Sequence, residues 1–172
     1  MTVVLNAQPS SNVVLTVTSG DLGDAAVSPT TLTLTPANWS TLQTVTVTGV
    51  DDFVVDGNIA YTIVTAAAVS TDPGYSGLDA ANVAATNTDN DSAGITVTPT
   101  SGLVTTEAGG TATFTVVLNS QPTANVAIAL SSSDTTEGTV GPASLTFTAA
   151  NWNLAQTVTV TGVDDILVDG TV

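Results

Sequence analysis

Two short acidic clusters concentrate the chemistry of this chain: Asp51-Asp52-x-x-x-Asp56 and, 113 residues later, Asp164-Asp165-x-x-x-Asp169. Asp89, Asp91 and Glu107 add carboxylates at further turns. Two carboxylates about 5 Å apart repel by roughly 3 kcal/mol at an effective dielectric of 20. The sequence holds 15 acids and no Lys, Arg or His, for a formal charge of −15. No side chain can relieve that repulsion, which leaves solvent, protonation or a bound cation. Hard oxygen donors without imidazole or thiolate select Ca²⁺ over transition metals. The spacing is that of neither an EF-hand loop nor a glycine-rich nonapeptide repeat. The expected Ca²⁺ ligands are Asp51, Asp52, Asp56, Asp89, Asp91, Glu107, Asp164, Asp165 and Asp169. Asp21, Asp24, Asp72, Asp79, Asp134 and Glu137 are read instead as turn residues that keep loops solvated.

The same composition excludes other functions. Nucleic-acid affinity comes from Lys and Arg neutralising phosphates, and attraction to anionic membranes needs the same cations. Without His, nothing can deprotonate a Ser or Thr nucleophile. Paired acids can hydrolyse glycosides, but such sites surround them with aromatic platforms, and only 4% of this chain is aromatic. An enzyme is therefore not expected. The lack of Cys removes disulfides and thiolate metal sites. No run of 18 apolar residues marks a membrane-spanning helix. With 42% hydrophobic residues, the chain can still build a core.

The elements that position these acids follow from an internal repeat. Residues 2–59 align without a gap on residues 115–172, and 32 of the 58 pairs are identical. A period of 113 is too long for a solenoid unit and fits one β-sandwich of about 100 residues. With 1–59 as one segment and 60–113 as another, the chain reads A-B-A. The expected domains are 1–91, lacking its first strand, and 92–172, lacking its last strands. Runs such as Thr31-Leu32-Thr33-Leu34-Thr35 and Thr44-Val45-Thr46-Val47-Thr48 alternate with a period of two, the mark of half-buried antiparallel strands. Strands are predicted near 94–98, 111–118, 125–131, 143–148, 156–162, 59–66 and 81–88. Seven such strands suggest an all-β fold of immunoglobulin-like antiparallel β-sandwich repeats in tandem. Trp39 and Trp152, each in Ala-Asn-Trp, are read as rings that plug one end of a sandwich.

The succession of Glu107 before a Gly-led strand, Leu145-Thr146-Phe147-Thr148, Val158-Thr159-Val160-Thr161-Gly162-Val163-Asp164-Asp165 and a closing Asp-x-Asp followed by Gly resembles Calx-beta domains. It is most similar to the repeats arrayed in very large bacterial surface proteins. That resemblance implies Ca²⁺ at one end of the sandwich. Glu107, the pairs Asp51-Asp52 or Asp164-Asp165, Asp56 or Asp169, and Asp89 with Asp91 would be the ligands. The chain departs from the family where a single Asp replaces the usual Glu residues after the pair, and where Asn90 interrupts the closing acids. Fewer or weaker Ca²⁺ ions are expected as a result. The function expected is a non-enzymatic, extracellular stalk or adhesive repeat at a bacterial cell surface, with neighbouring repeats or subunits as partners. Two alternatives remain. One is a self-assembling filament subunit completed by strands of its neighbours. The other is an ice- or carbohydrate-binding module using the Thr rows 31, 33, 35 and 44, 46, 48.

Overall fold

A strand with period-two alternation shows one face to a core and the other to water, and the threonine-valine runs of this chain do so. The computed structural model describes residues 1–166, and every regular element among them is a β-strand. The chain divides into two compact units, Met1–Asp52 with Asp56–Asp89, and Phe53–Val55 with the residues from Asn90 onward.

Unit 1 contains β1 (Thr2–Val3), β2 (Val13–Ser19), β3 (Ala25–Ser28), β4 (Thr31–Leu34), β5 (Gln43–Thr44), β6 (Thr46–Gly49), β7 (Ile59–Thr65), β8 (Val69–Ser70) and β9 (Val83–Asn87). One sheet has the order β4-β2-β7-β9, with β8 also on β2; facing it are the pairs β1-β5 and β3-β6, all antiparallel. Val13, Leu15 and Val17 of β2, Leu32 and Leu34 of β4 and Ile63 of β7 point inward, where they meet Val45 with Val3, Val27 and Val47. This is a β-sandwich. Its buried Thr65 is satisfied, since the hydroxyl donates to Ala80 O at 2.9 Å and the amide to Asn82 Oδ1 at 3.0 Å.

Unit 2 contains β10 (Ile95–Thr98), β11 (Thr111–Leu118), β12 (Val126–Ala129), β13 (Gly138–Gly141), β14 (Ser144–Phe147) and β15 (Gln156–Gly162). Its main sheet has the order β10-β11-β15-β13, and β12 pairs with β14. Val116, Leu118 and Val158 of the sheet meet Leu145 and Phe147 of the pair in a separate core. The strands recur at the 113-residue spacing: β3 and β13 coincide, as do β4 and β14. β1 has two residues where its counterpart β11 has eight.

All seven anticipated strand regions carry strands, and three further strands went unread. β3 and β13 are short and rich in Gly, Ala and Ser, so they give no apolar alternation. Their backbones nevertheless pair along β6 and β15. β8 is only two residues long.

The packing gives a direct expectation. Leu34→Ala should destabilise by about 2–5 kcal/mol and Phe147→Ala by about 3–5 kcal/mol, because both side chains are fully buried. Exposed Thr33→Ala should stay within about 0.5 kcal/mol. Urea unfolding of the three variants measures the difference.

Candidate functional site

Four strand ends meet at one pole of unit 1. The pairings Ala25↔Gly49 and Ile59↔Asn87 bring the start of β3 beside the end of β6, and the start of β7 beside the end of β9. Asn87 joins the two sheets there: its Nδ2 donates to Val50 O at 2.9 Å and more weakly to Asp24 Oδ1 at 3.4 Å. The Val50 amide donates to Asp24 O at 2.9 Å. Loops leaving these ends carry Asp51, Asp52, Asp56 and Asp89 as well as Asp24.

Asp89 is held in place. The Gly57 amide donates to its Oδ2 at 2.7 Å, and its own amide donates to Asn58 Oδ1 at 3.1 Å. Gly57 has φ +82°, in the left-handed region where a side chain would be strained. The Asp56 carboxyl titrates above its ordinary value of 3.8, first through desolvation and then through the charges of Asp52, Asp89 and Asp24. The charges of Asp52, Asp89 and Asp24 thus all reach the Asp56 carboxyl. Among the described residues, however, no three acids come close enough to hold a metal ion between them.

Unit 2 gathers a comparable set. Glu107 sits in the turn closed by the Gly109 and Gly110 amides on Thr106 O, at 3.1 and 3.0 Å. The Gly162 amide at the end of β15 donates to Gly110 O at 3.0 Å, and the next amide, Val163, donates to Glu137 O at 3.0 Å. A Cβ on Gly162 would run into the Thr106 carbonyl, so only glycine allows this approach. Asp164 and Asp165 follow directly, at the same pole as Glu107 and Glu137. Asp91 is elsewhere: it precedes β10, whose Ile95 pairs with Leu118 at the far end of β11. Eight strand residues separate it from Glu107, about 24 Å. Asp89 and Asp91 fall in different units, and Asp169 lies outside the described residues.

Two acids at these poles, Asp24 and Glu137, carry no local sequence signal beyond that of ordinary turn residues. Asp24 and Glu137 occupy equivalent positions, one before β3 and the other before β13, and each backbone carbonyl accepts the amide just ahead of the paired Asp. The sequence retains an acid at this place in both copies, but without β3 and β13 nothing sets it beside the Asp pairs. The other turn acids have local roles. Asp72 accepts from the amides of Ser10 at 2.6 Å and Gly74 at 2.8 Å, and these bonds hold its carboxyl below the ordinary range. Asp134 is lowered in the same way by Thr136, whose hydroxyl and amide donate to it at 2.6 and 3.0 Å.

The remaining candidates resolve by position. Thr31 and Thr33 lie on β4 of one sheet, whereas Thr44, Thr46 and Thr48 belong to the facing one, so they do not form a single flat array. In each Ala-Asn-Trp turn the Asn side chain is tied inward: Asn38 Oδ1 accepts from Thr35, and Asn151 Oδ1 from Thr148. Trp152 packs on the unit 2 core, with its ring 5.5 Å from that of Phe53.

Asp72 gives a pH-dependent expectation. Its folded pKa is depressed, so its contribution is present above the unfolded carboxylate value near 3.8 and is lost as pH falls through the folded value. Asp72→Asn should lower the thermal midpoint at pH 7, because one amide must then face an NH₂ donor, and the deficit should shrink as pH falls below the unfolded carboxylate value. Parallel melts of the two proteins across pH test this. Compared with known proteins, the chain matches no family model, no curated protein and no solved structure.

Proposed function

We propose that the chain is a non-enzymatic, Ca²⁺-stabilised structural repeat of an extracellular bacterial surface protein, of the Calx-beta-like kind, acting as a stalk or adhesive segment. The observation that carries the reading is the unit 1 pole. The charges of Asp24, Asp52 and Asp89 converge on Asp56 there, in a molecule with no basic side chain to answer them. Their donor chemistry fits a hard divalent cation. Asp89, with one oxygen already oriented by the Gly57 amide, supplies a fixed point. Asp51, Asp52 and Asp56 sit on exposed loop segments from which carboxylates can turn inward by rotamer change. In unit 2 the corresponding set is Glu107, Glu137, Asp164 and Asp165. A bound ion would cancel the repulsion at the pole and tie together the ends of β3, β6, β7 and β9. Modules of this kind work with dissociation constants of about 10⁻⁴–10⁻³ M, because external calcium is abundant.

Calcium at 100 times its dissociation constant should stabilise unit 1 by about 2.7 kcal/mol. Thermal melts in chelator, Mg²⁺ and Ca²⁺ measure this, with a rise expected in Ca²⁺ alone. Asp51→Asn with Asp52→Asn should abolish the response, and Asp79→Asn should leave it intact. An identical midpoint in chelator and saturating Ca²⁺ removes the metal from the proposal.

A further inference from the structure

The segment after each Asp pair is apolar: Phe53-Val54-Val55 in the first copy and Ile166-Leu167-Val168 in the second. The structure shows what the first of these does. Residues Phe53–Val55 are part of unit 2. Phe53 O accepts the Gln121 amide at 2.7 Å, Val54 forms a parallel bridge to Gln121, and the Phe53 ring meets that of Trp152. The receptor is preformed, since Trp152 O is fixed by the Leu118 amide at 3.1 Å.

Unit 1 carries the same receptor. Gln8 and Trp39 stand 113 residues before Gln121 and Trp152, and Trp39 O accepts the Leu5 amide at the same 3.1 Å. Gln8 is exposed where Gln121 is half-buried, and Ala7 is exposed where Ser120 is buried. Among the described residues no carbonyl takes the Gln8 backbone amide, although its side-chain Nε2 donates to Pro36 O at 2.9 Å, and Trp39 is half-buried outside the unit 1 core cluster. A matching apolar group is also uncovered: Ile166, the counterpart of Phe53, is 99% exposed.

Charge selects the orientation. The Trp39 receptor shares its pole with the loop of Asp72 and Asp79, because Tyr75 beside them donates its hydroxyl to Ala7 O. Ile166 leaves the pole that bears Glu107, Glu137, Asp164 and Asp165. Placing an acid-rich pole on an acid-poor one costs less than placing two acid-rich poles together. We infer that Gln8 and Trp39 form a docking site for the Ile166 segment of a second copy of this chain. The contact is heterologous, head to tail, and repeats along an open filament. It uses a ring contact and a parallel main-chain bridge, a minimal form of strand addition, and does not depend on the calcium reading.

Sedimentation of the full chain in chelator and 0.15 M salt, up to about 1 mM chain, half-saturates a millimolar contact. The expected result is concentration-dependent growth beyond dimers. The Trp39 indole N–H resonance should shift with concentration while that of Trp152 stays in place. Ile166→Asp, at a fully exposed site that cannot disturb folding, should abolish both effects, and Trp39→Ala should abolish the growth. A monomer throughout the series overturns the proposal. So does growth that survives Ile166→Asp, or a shift confined to Trp152.

Discussion

Every carboxylate in this protein must be accommodated without a single basic side chain, and that constraint organises both units. A charge inside a strand would face either a core of Val, Leu, Ile and Phe or a neighbouring strand with no cation to offer. Burying an unpaired charge is prohibitive, so the strands carry Thr on their outer faces and the acids are displaced to the strand ends. There the partners are backbone amides and hydroxyls. Asp72 on Ser10 and Gly74, Asp134 on Thr136 and Asp89 on Gly57 all follow that rule.

Glycine and asparagine make the poles possible. Asn87 reaches two neighbours at once because its uncharged Nδ2 carries two hydrogens, one for Val50 O and one for Asp24 Oδ1, and no Lys or Arg exists to take its place. A Cβ on Gly49 would press on the end of the Asn87 side chain, and its counterpart Gly162 must lack one for the Thr106 backbone to approach. The same Val-Thr-Gly-Val-Asp-Asp sequence therefore ends against different elements in the two units.

Much of the fold was legible because alternation is a direct imprint of a half-buried strand. The Thr-Leu-Thr-Leu and Thr-Val-Thr-Val runs of β4, β6 and β15 give their inward faces without ambiguity. The Gly-Thr-Val-Gly of β13 gives nothing, since its place is set by hydrogen bonds to β15 rather than by burial. That omission spread to the site: without β3 and β13, nothing placed Asp24 beside Asp52 or Glu137 beside Asp164. The separation of Asp91 from Glu107 was equally hidden, because it depends on which end of β11 receives β10. Residues Phe53–Val55 join unit 2 through a parallel bridge to Gln121 and a ring contact with Trp152, an affinity that no local pattern encodes.

The segregation of the acids to the ends also governs how such molecules crowd. Six of the eight carboxylates of unit 1 share a pole (Asp21, Asp24, Asp51, Asp52, Asp56 and Asp89), while the Thr-covered flanks of its sheets are electrically neutral. At physiological ionic strength a charge is felt over about 8 Å, less than the length of a strand. Side by side, two such sandwiches would meet hydroxyl to hydroxyl with almost no Coulomb barrier, whereas their acidic tips hold one another off. A heavily charged protein of this design can be packed densely in sheets or bundles, with its osmotic counterions confined to thin layers at the tips.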